Sequence, residues 1–280
     1  MEKLSRTQRI AVKKARNCYA SRSKTRLALF LCANPVPHFP QSHMPLSSSK
    51  RFIFIHIPKC AGTSISTALN TRGARLQLNG MPTRKEKVVF NSGSLAHITA
   101  EKLRSTLPEA TWRNYFKFTF VRNPWDLSVS LYHFHKSYAI PPSYFEMFPT
   151  MLLRCSLKHL YSYFTLRNQA IKFQKNNPYI IKQFTTTGSF KEWILQGIYM
   201  PCCSSFITDS KGTVMVDFVG RYETLQEDFS KICRRLNISA QLLHLNRSTH
   251  RPYREYYDSE SKAIVARHFG ADIERFAYRF

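Results

Sequence analysis

The chain of 280 residues carries 42 Lys and Arg against 17 Asp and Glu, a formal charge of +25 before any histidine titrates. With 43% hydrophobic and 14% aromatic residues it has material for a core, which excludes a disordered polybasic tail. No run approaches the ~20 apolar residues of a membrane-spanning helix, and no collagen-like or low-complexity repeat is present. A globular protein of one large domain or two small ones is left, with an attraction for something anionic.

The first fifty residues differ from the rest. They hold ten Lys and Arg and one acid, Glu2, followed by a Pro/Ser stretch from Asn34 to Ser49. The segment Leu4–Phe30 reads as a basic extension, helical or flexible, suited to peripheral contact with a membrane surface. It is also Arg/Ser-rich and acid-poor, as transit peptides are. Its apolar run Leu27–Ala33 follows too long a basic lead-in for a secretory signal. Residues 51–280 keep a net charge of +16 and form the expected folded domain.

Phe52–Ile57 is a short apolar run of strand formers. Pro58-Lys59-Cys60-Ala61-Gly62 turns the chain, and a helical pattern runs from Thr63 to about Asn70. A helix over Thr99–Thr106 follows, with a threonine cap and Glu101 in its first turn. Phe116–Val121 reads as a second strand. Asn123 caps the next helix, Pro124 takes its first position, and the helix runs from Trp125 to about Lys136. Residues 137–200 are helical in pattern and rich in Tyr and Phe. Phe206–Asp209 and Val214–Val219 flank a Gly-containing turn and predict a hairpin. Helices over Thr224–Leu236, about 258–269 and 271–277 close the chain. Strands alternating with helices predict an α/β fold with a parallel sheet.

Seven cysteines, at 18, 32, 60, 155, 202, 203 and 233, are odd in number and show neither a CxxC pair nor zinc spacing. They read as reduced thiols, with Cys202 and Cys203 apart rather than bridged.

The first strand–turn–helix has the parts of a phosphate cradle. A loop between a buried strand and a helix start points N–H groups outward; Gly62 permits close approach, Thr63 and Ser64 add hydroxyls, and Lys59 adds charge. It is not a nucleoside-triphosphate loop of the GxxxxGK[ST] type, because the lysine precedes the glycine and the first glycine is missing. That, with no magnesium carboxylate after a strand, disfavours a nucleotide kinase. In the second unit Arg122 ends a strand, where its planar fork suits another phosphate. Ser128 and Ser130 lie on the following helix, and helix geometry does not choose between them. Charge alone also fits a non-catalytic module that binds an anionic polymer or nucleic acid.

Taken together, these segments resemble the sulfotransferase family, in its carbohydrate-type branch called family 2. The resemblance rests on Ile57–Ser64, on Phe120–Tyr132, on Gly93–Thr99, on Val216–Glu223 and on Leu245–His250 with Tyr253, Tyr256 and Tyr257, in family order across residues 51 to 280. It implies a P-loop-like three-layer sandwich whose central parallel sheet is flanked by helices. It implies 3′-phosphoadenosine 5′-phosphosulfate as sulfuryl donor, no metal, no specific nucleic acid, and an acceptor hydroxyl on a glycan or glycolipid.

The roles implied are these. Lys59 neutralises the leaving 5′-phosphate, which Cys60, Ala61, Gly62, Thr63 and Ser64 wrap. Arg122 and Ser130 hold the 3′-phosphate, and Arg247, Ser248 and Thr249 close over the nucleotide end. His97 is the general base, its ordinary pKa of ~6.5 suiting that work, with Glu101 as backup base or orienting carboxylate. Arg221 and Glu223 read as a structural ion pair; His133 and His135 read mainly as core, with a place near the acceptor as the alternative. Animal members of the branch are Golgi proteins with an N-terminal anchor. No such anchor is seen in this chain, so a cytoplasmic, possibly membrane-peripheral location is expected.

Overall fold

The computed structural model describes residues 46–69, 97–138, 171, 173–242 and 250–280. The expectations for residues 1–45, for 93–96 and for Arg247, Ser248 and Thr249 lie outside the described residues, as does the stretch 139–170.

A four-stranded sheet organises the domain. β1 (Leu46–Ser47) pairs antiparallel with β2 (Phe52–Ile55). β1 lies before residue 51, so the sheet begins inside the stretch that composition assigns to the extension. α1 (Gly62–Ala68) follows β2, then α2 (Ala100–Thr106) and α3 (Glu109–Asn114). β3 (Phe116–Val121) pairs parallel with β2, and α4 (Pro124–Tyr138) leaves it. Further on come α5 (Pro178–Thr186), α6 (Phe190–Leu195) and a 3-10 turn, Cys203–Phe206. β4 (Phe218–Arg221) then pairs parallel with β3, completing the order β1-β2-β3-β4. α7 (Leu225–Leu236), a 3-10 turn at Tyr253–Tyr256, α8 (Ser259–His268) and α9 (Gly270–Phe276) finish the chain. The expected α/β architecture, a largely parallel sheet flanked by helices, is present.

β2 and β3 are buried on both faces, from Phe52 through Ile55 and from Lys117 through Val121. A parallel strand covered on both sides favours a continuous apolar run, which is how β2 reads in sequence; β3 alternates instead, with Lys117 and Thr119 between its phenylalanines, so two polar side chains must be satisfied in the core. Thr119 meets this demand by donating its hydroxyl to the Ile55 carbonyl at 2.7 Å. Lys117, also buried, has its ammonium on the Trp112 and Tyr115 carbonyls and Asp217.

The predicted hairpin is only partly formed. Thr208 and Val214 make one antiparallel bridge around a turn closed by Asp209 and Thr213. The second run continues past it into β4, because pairing with β3 buries Gly220 where a two-stranded ribbon would leave it wet. The predicted helix starts hold within a residue or two. Thr99 accepts from the Lys102 N–H, and Asn123 from the Trp125 N–H at 3.1 Å.

Candidate active site at the ends of the parallel strands

In an open parallel sheet, ligands bind beyond the carboxyl ends of the strands, where loops turn into helices. The β2–β3 register puts Ile55 beside Thr119, so the turn after β2 and the turn after β3 emerge side by side. These are the two segments that the sequence marks as phosphate cradles.

The first turn has an unusual backbone. Lys59 (φ 64°) and Ala61 (φ 63°) are both left-handed, on either side of Cys60. Such conformations cost a non-glycine residue about 1–3 kcal/mol each, and alternation of hand turns successive N–H groups to one side, forming an anion-binding concavity. No side chain caps the helix start at Ala61. Gly62 is buried, Thr63 half-buried and Ser64 buried. The Cys60 side chain points inward and shares a hydrogen bond with the Cys203 thiol, so only its backbone faces the turn. Cys202 and Cys203 are not bridged to each other.

Lys59 keeps some accessible surface, but its ammonium is enclosed, 4.1 Å above the Phe134 ring of α4. Burial, followed by the charge of Arg122, brings its pKa down from 10.5 to about 7.

The second turn is fixed where the first is strained. Arg122 is 5% exposed. Its Nε donates to Asp126 at 2.8 Å, its Nη1 donates to the Lys59 carbonyl at 3.0 Å, and its guanidinium lies 3.9 Å over the Tyr222 ring. Burial opposes its charge, but Asp126 more than offsets this, and Arg122 titrates above its ordinary value. The Asn123 N–H donates to Glu223 at 2.6 Å, and its amide donates to the Arg279 carbonyl at 2.9 Å. Tyr278 donates to the other Glu223 oxygen, and the Phe280 ring packs on Trp125, Tyr253 and Tyr257.

The serine choice that the sequence leaves open acquires a physical basis. The Ser128 hydroxyl is committed to the Pro124 carbonyl at 2.8 Å. Ser130, 2% exposed, makes no hydrogen bond among the described residues. It lies one turn beyond Asp126 and one turn before Phe134, on the α4 face that meets Arg122 and Lys59.

His97 sits just before α2. Its Nδ1 lies 3.1 Å from the His56 carbonyl. A carbonyl only accepts, so Nδ1 carries the proton and Nε2 keeps its lone pair. Part of the His97 surface is exposed, yet the neighbouring atoms desolvate the ring enough to lower its pKa, with the His56 carbonyl pulling the other way. Glu101 does not meet it. The Glu101 carboxylate accepts from the Ser210 N–H at 3.2 Å, across to the turn before Val214.

Two side chains stand elsewhere than expected. Arg221 and Glu223 do not pair: Arg221 donates to the Phe276 carbonyl, while Glu223 holds Asn123 and Tyr278. His133 bonds the Tyr256 hydroxyl at 2.9 Å and stacks on His250. His135 is 8% exposed, and its pKa falls to about 4 through burial and the charge of Lys59. Sequence reasoning passed over Asp126 and His56, and it gave Glu223 a different partner, Arg221. Asp126 had a signal in its spacing of four from Arg122, and His56 in being the one polar residue of the run Phe52–Ile57; Glu223, a hundred positions from Asn123, had none.

Two buried cations against one carboxylate, with an uncommitted buried hydroxyl and outward N–H groups, make a set that fits a polyanionic phosphate ester. The chain is 25% identical to carbohydrate sulfotransferase 11 of Rattus norvegicus over 230 residues, 80% of this chain and 60% of that protein. It is 24% identical to the Mus musculus protein of the same name over the same shares. An uncharacterized protein of Archaeoglobus fulgidus is 23% identical over 154 residues, 55% of this chain and 94% of that one. The chain thus spans about 60% of the length of its two named relatives. No solved structure matches it.

The cytoplasmic location expected from the sequence is corrected by these relatives. They are mammalian carbohydrate sulfotransferases, the animal side of the family, for which the resemblance implies a Golgi setting. Among the described residues no helix is long and apolar enough to cross a membrane, and that observation assigns no compartment. The profile of the sulfotransferase family matches residues 42–279, from before β1 to the penultimate residue, and the chain belongs to that family.

Proposed function

We propose that the protein transfers a sulfuryl group from 3′-phosphoadenosine 5′-phosphosulfate to a hydroxyl of a carbohydrate or glycolipid. The observation that carries this reading is the joining of the two strand-end turns: Arg122 donates to the backbone of Lys59, so the two cations form one anion site. The Lys59–Ser64 backbone and hydroxyls receive the 5′-phosphate end. Arg122 and Ser130 receive the 3′-phosphate, and the Arg247–Thr249 segment belongs to the nucleotide end. Family membership and the named relatives support the sulfuryl donor and the glycan acceptor.

His97 is the base in this reading. Its Nε2 takes the proton of the acceptor hydroxyl while that oxygen bonds to sulfur. The sulfur–oxygen bond to the phosphate breaks, its electron pair leaves with adenosine 3′,5′-bisphosphate, and Lys59 meets the charge that grows there. A lowered pKa keeps His97 unprotonated and ready at neutral pH. Glu101 has a structural part, holding the turn at Ser210 against the start of α2. The anionic-polymer reading has only net charge behind it.

The test is incubation of the protein with sulfur-labelled donor and a panel of glycan, glycolipid and phenol acceptors. Label in a glycan is expected. Unchanged affinity for adenosine 3′,5′-bisphosphate in both Lys59→Ala and Arg122→Ala, measured by calorimetry, would overturn the site.

A further inference from the structure

His56 has no part in the chemistry above, yet it touches both sides of it. It follows β2 directly and is 7% exposed. Its backbone carbonyl faces His97 Nδ1 at 3.1 Å, and its ring meets the His97 ring edge-on, with centroids 4.6 Å apart. Phe54 stacks on it at 5.7 Å.

The same ring also presses on the turn before α1. A Cβ built on Gly62 would come within 1.8 Å of His56 Cδ2 and Nε2, a collision neither partner could absorb. Gly62 therefore has a steric reason: it opens α1, has no left-handed φ, and is glycine because the imidazole occupies the place of a side chain. A helical glycine costs up to about 1 kcal/mol relative to alanine, and here that cost secures the close fit. The ring is thus in contact with both the start of α1 and the His97 ring.

We propose that His56 is a positioning residue whose ring, wedged between Gly62 and His97, sets the distance and orientation of the base relative to the donor turn. The proposal rests on the reading of His97 as base and of Gly62 as part of the phosphate turn. A displacement of the turn at Gly62 is then passed to His97 through one rigid ring, without any movement of the strand.

The test uses the full chain with His56→Ala, His56→Phe, Gly62→Ala and the double variant His56→Ala/Gly62→Ala. Three readouts are followed: affinity for adenosine 3′,5′-bisphosphate by calorimetry, the His97 titration by NMR, and kcat against KM. Gly62→Ala alone is expected to weaken the bisphosphate by about tenfold or more, and His56→Ala in the same chain to restore most of that, a coupling typical of residues in contact. His56→Ala alone is expected to lower kcat by about tenfold with little change in KM, and to return the His97 titration toward ~6.5 as crowding is relieved. His56→Phe, which keeps the wedge, recovers most of the lost kcat. If the alanine cavity prevents folding, His56→Val carries the same expectations.

Simple additivity of the two substitutions, or a His97 titration unmoved in His56→Ala, would overturn the proposal. A His97→Ala variant with normal turnover removes the base assignment instead, while the coupling of residues 56 and 62 still decides whether the wedge exists.

Discussion

The two turns at the strand ends, given the same kind of work in the proposed reaction, have opposite construction. The turn after β2 is strained and followed by a seven-residue helix; among the described residues no side chain caps it and no carboxylate stands against its cation, a lysine of pKa about 7. The turn after β3 is clamped by Asn123, Glu223 and Arg279, opens a fifteen-residue helix, and holds an arginine fixed by Asp126 and Tyr222. A charge that must stay on is held by arginine in a rigid frame. In the proposed reaction, a charge that responds to the leaving group is held by lysine in a strained frame. In the proposed reaction the first grips the end that does not react and the second serves the bond that breaks.

The largest expected effect tests whether chemistry is confined to the strained side. His97→Ala should lower kcat by about 10²–10⁴ while adenosine 3′,5′-bisphosphate binds as before. Because the pKa of His97 lies below its ordinary value, kcat in the intact protein should hold at neutral pH and fall only on the acid side of ~6.5. A fall starting above that value would place the base elsewhere.

Arg122→Ala should cost about 2–5 kcal/mol of bisphosphate affinity, since it removes one partner of a buried pair and strands Asp126. Calorimetry and a thermal melt together separate the lost ligand contact from lost stability. A variant as tight as the parent would erase the distinction between the two turns.

Lys59→Ala should cost less, about 1.5–3 kcal/mol, as for a hydrogen bond to a charged group. The sharper signature is in the pH dependence. Between about pH 7 and 10.5 the unfolded chain holds a proton that the empty folded site lacks, so this group makes the empty protein more stable as pH rises through that window. The neutral amine is a poorer anion ligand, so bisphosphate affinity should fall over the same range. Opposite slopes from paired melts and titrations, both flattened in Lys59→Ala, are expected; parallel slopes would contradict the assignment.

How much of this was legible in the sequence depends on the distance between partners. Strand, turn and helix at Phe52–Ala68 and at Phe116–Tyr138 are written in local apolar runs and caps, and they were read within a residue or two. The Arg122–Asp126 pair lies one helical turn apart and was open to reading. Contacts such as Glu223 to Asn123, Glu101 to Ser210 and His56 to Gly62 exist only once the sheet brings its strand ends together, and no local rule reports them. The hairpin formed only in part for the same reason: the end of its second arm pairs with β3, which only the assembled sheet supplies.

The smallest effects test the frames themselves. Asn123→Ala removes a cap and should cost about 1 kcal/mol of stability, read as a lower midpoint in urea. Ala61→Gly relieves a left-handed residue and should raise stability by up to about 1 kcal/mol, on the strained side only. A loss at Ala61→Gly would mean that this turn is as well fitted as its neighbour.

The Asn123 amide rests on the Arg279 carbonyl, 156 positions later in the chain. On a ribosome adding 5–20 residues each second, the interval between the two is roughly ten to thirty seconds. Through that interval β2, β3 and the arginine can already be in place while the turn that aims the arginine has no lock. The turn is locked only once Arg279 reaches it.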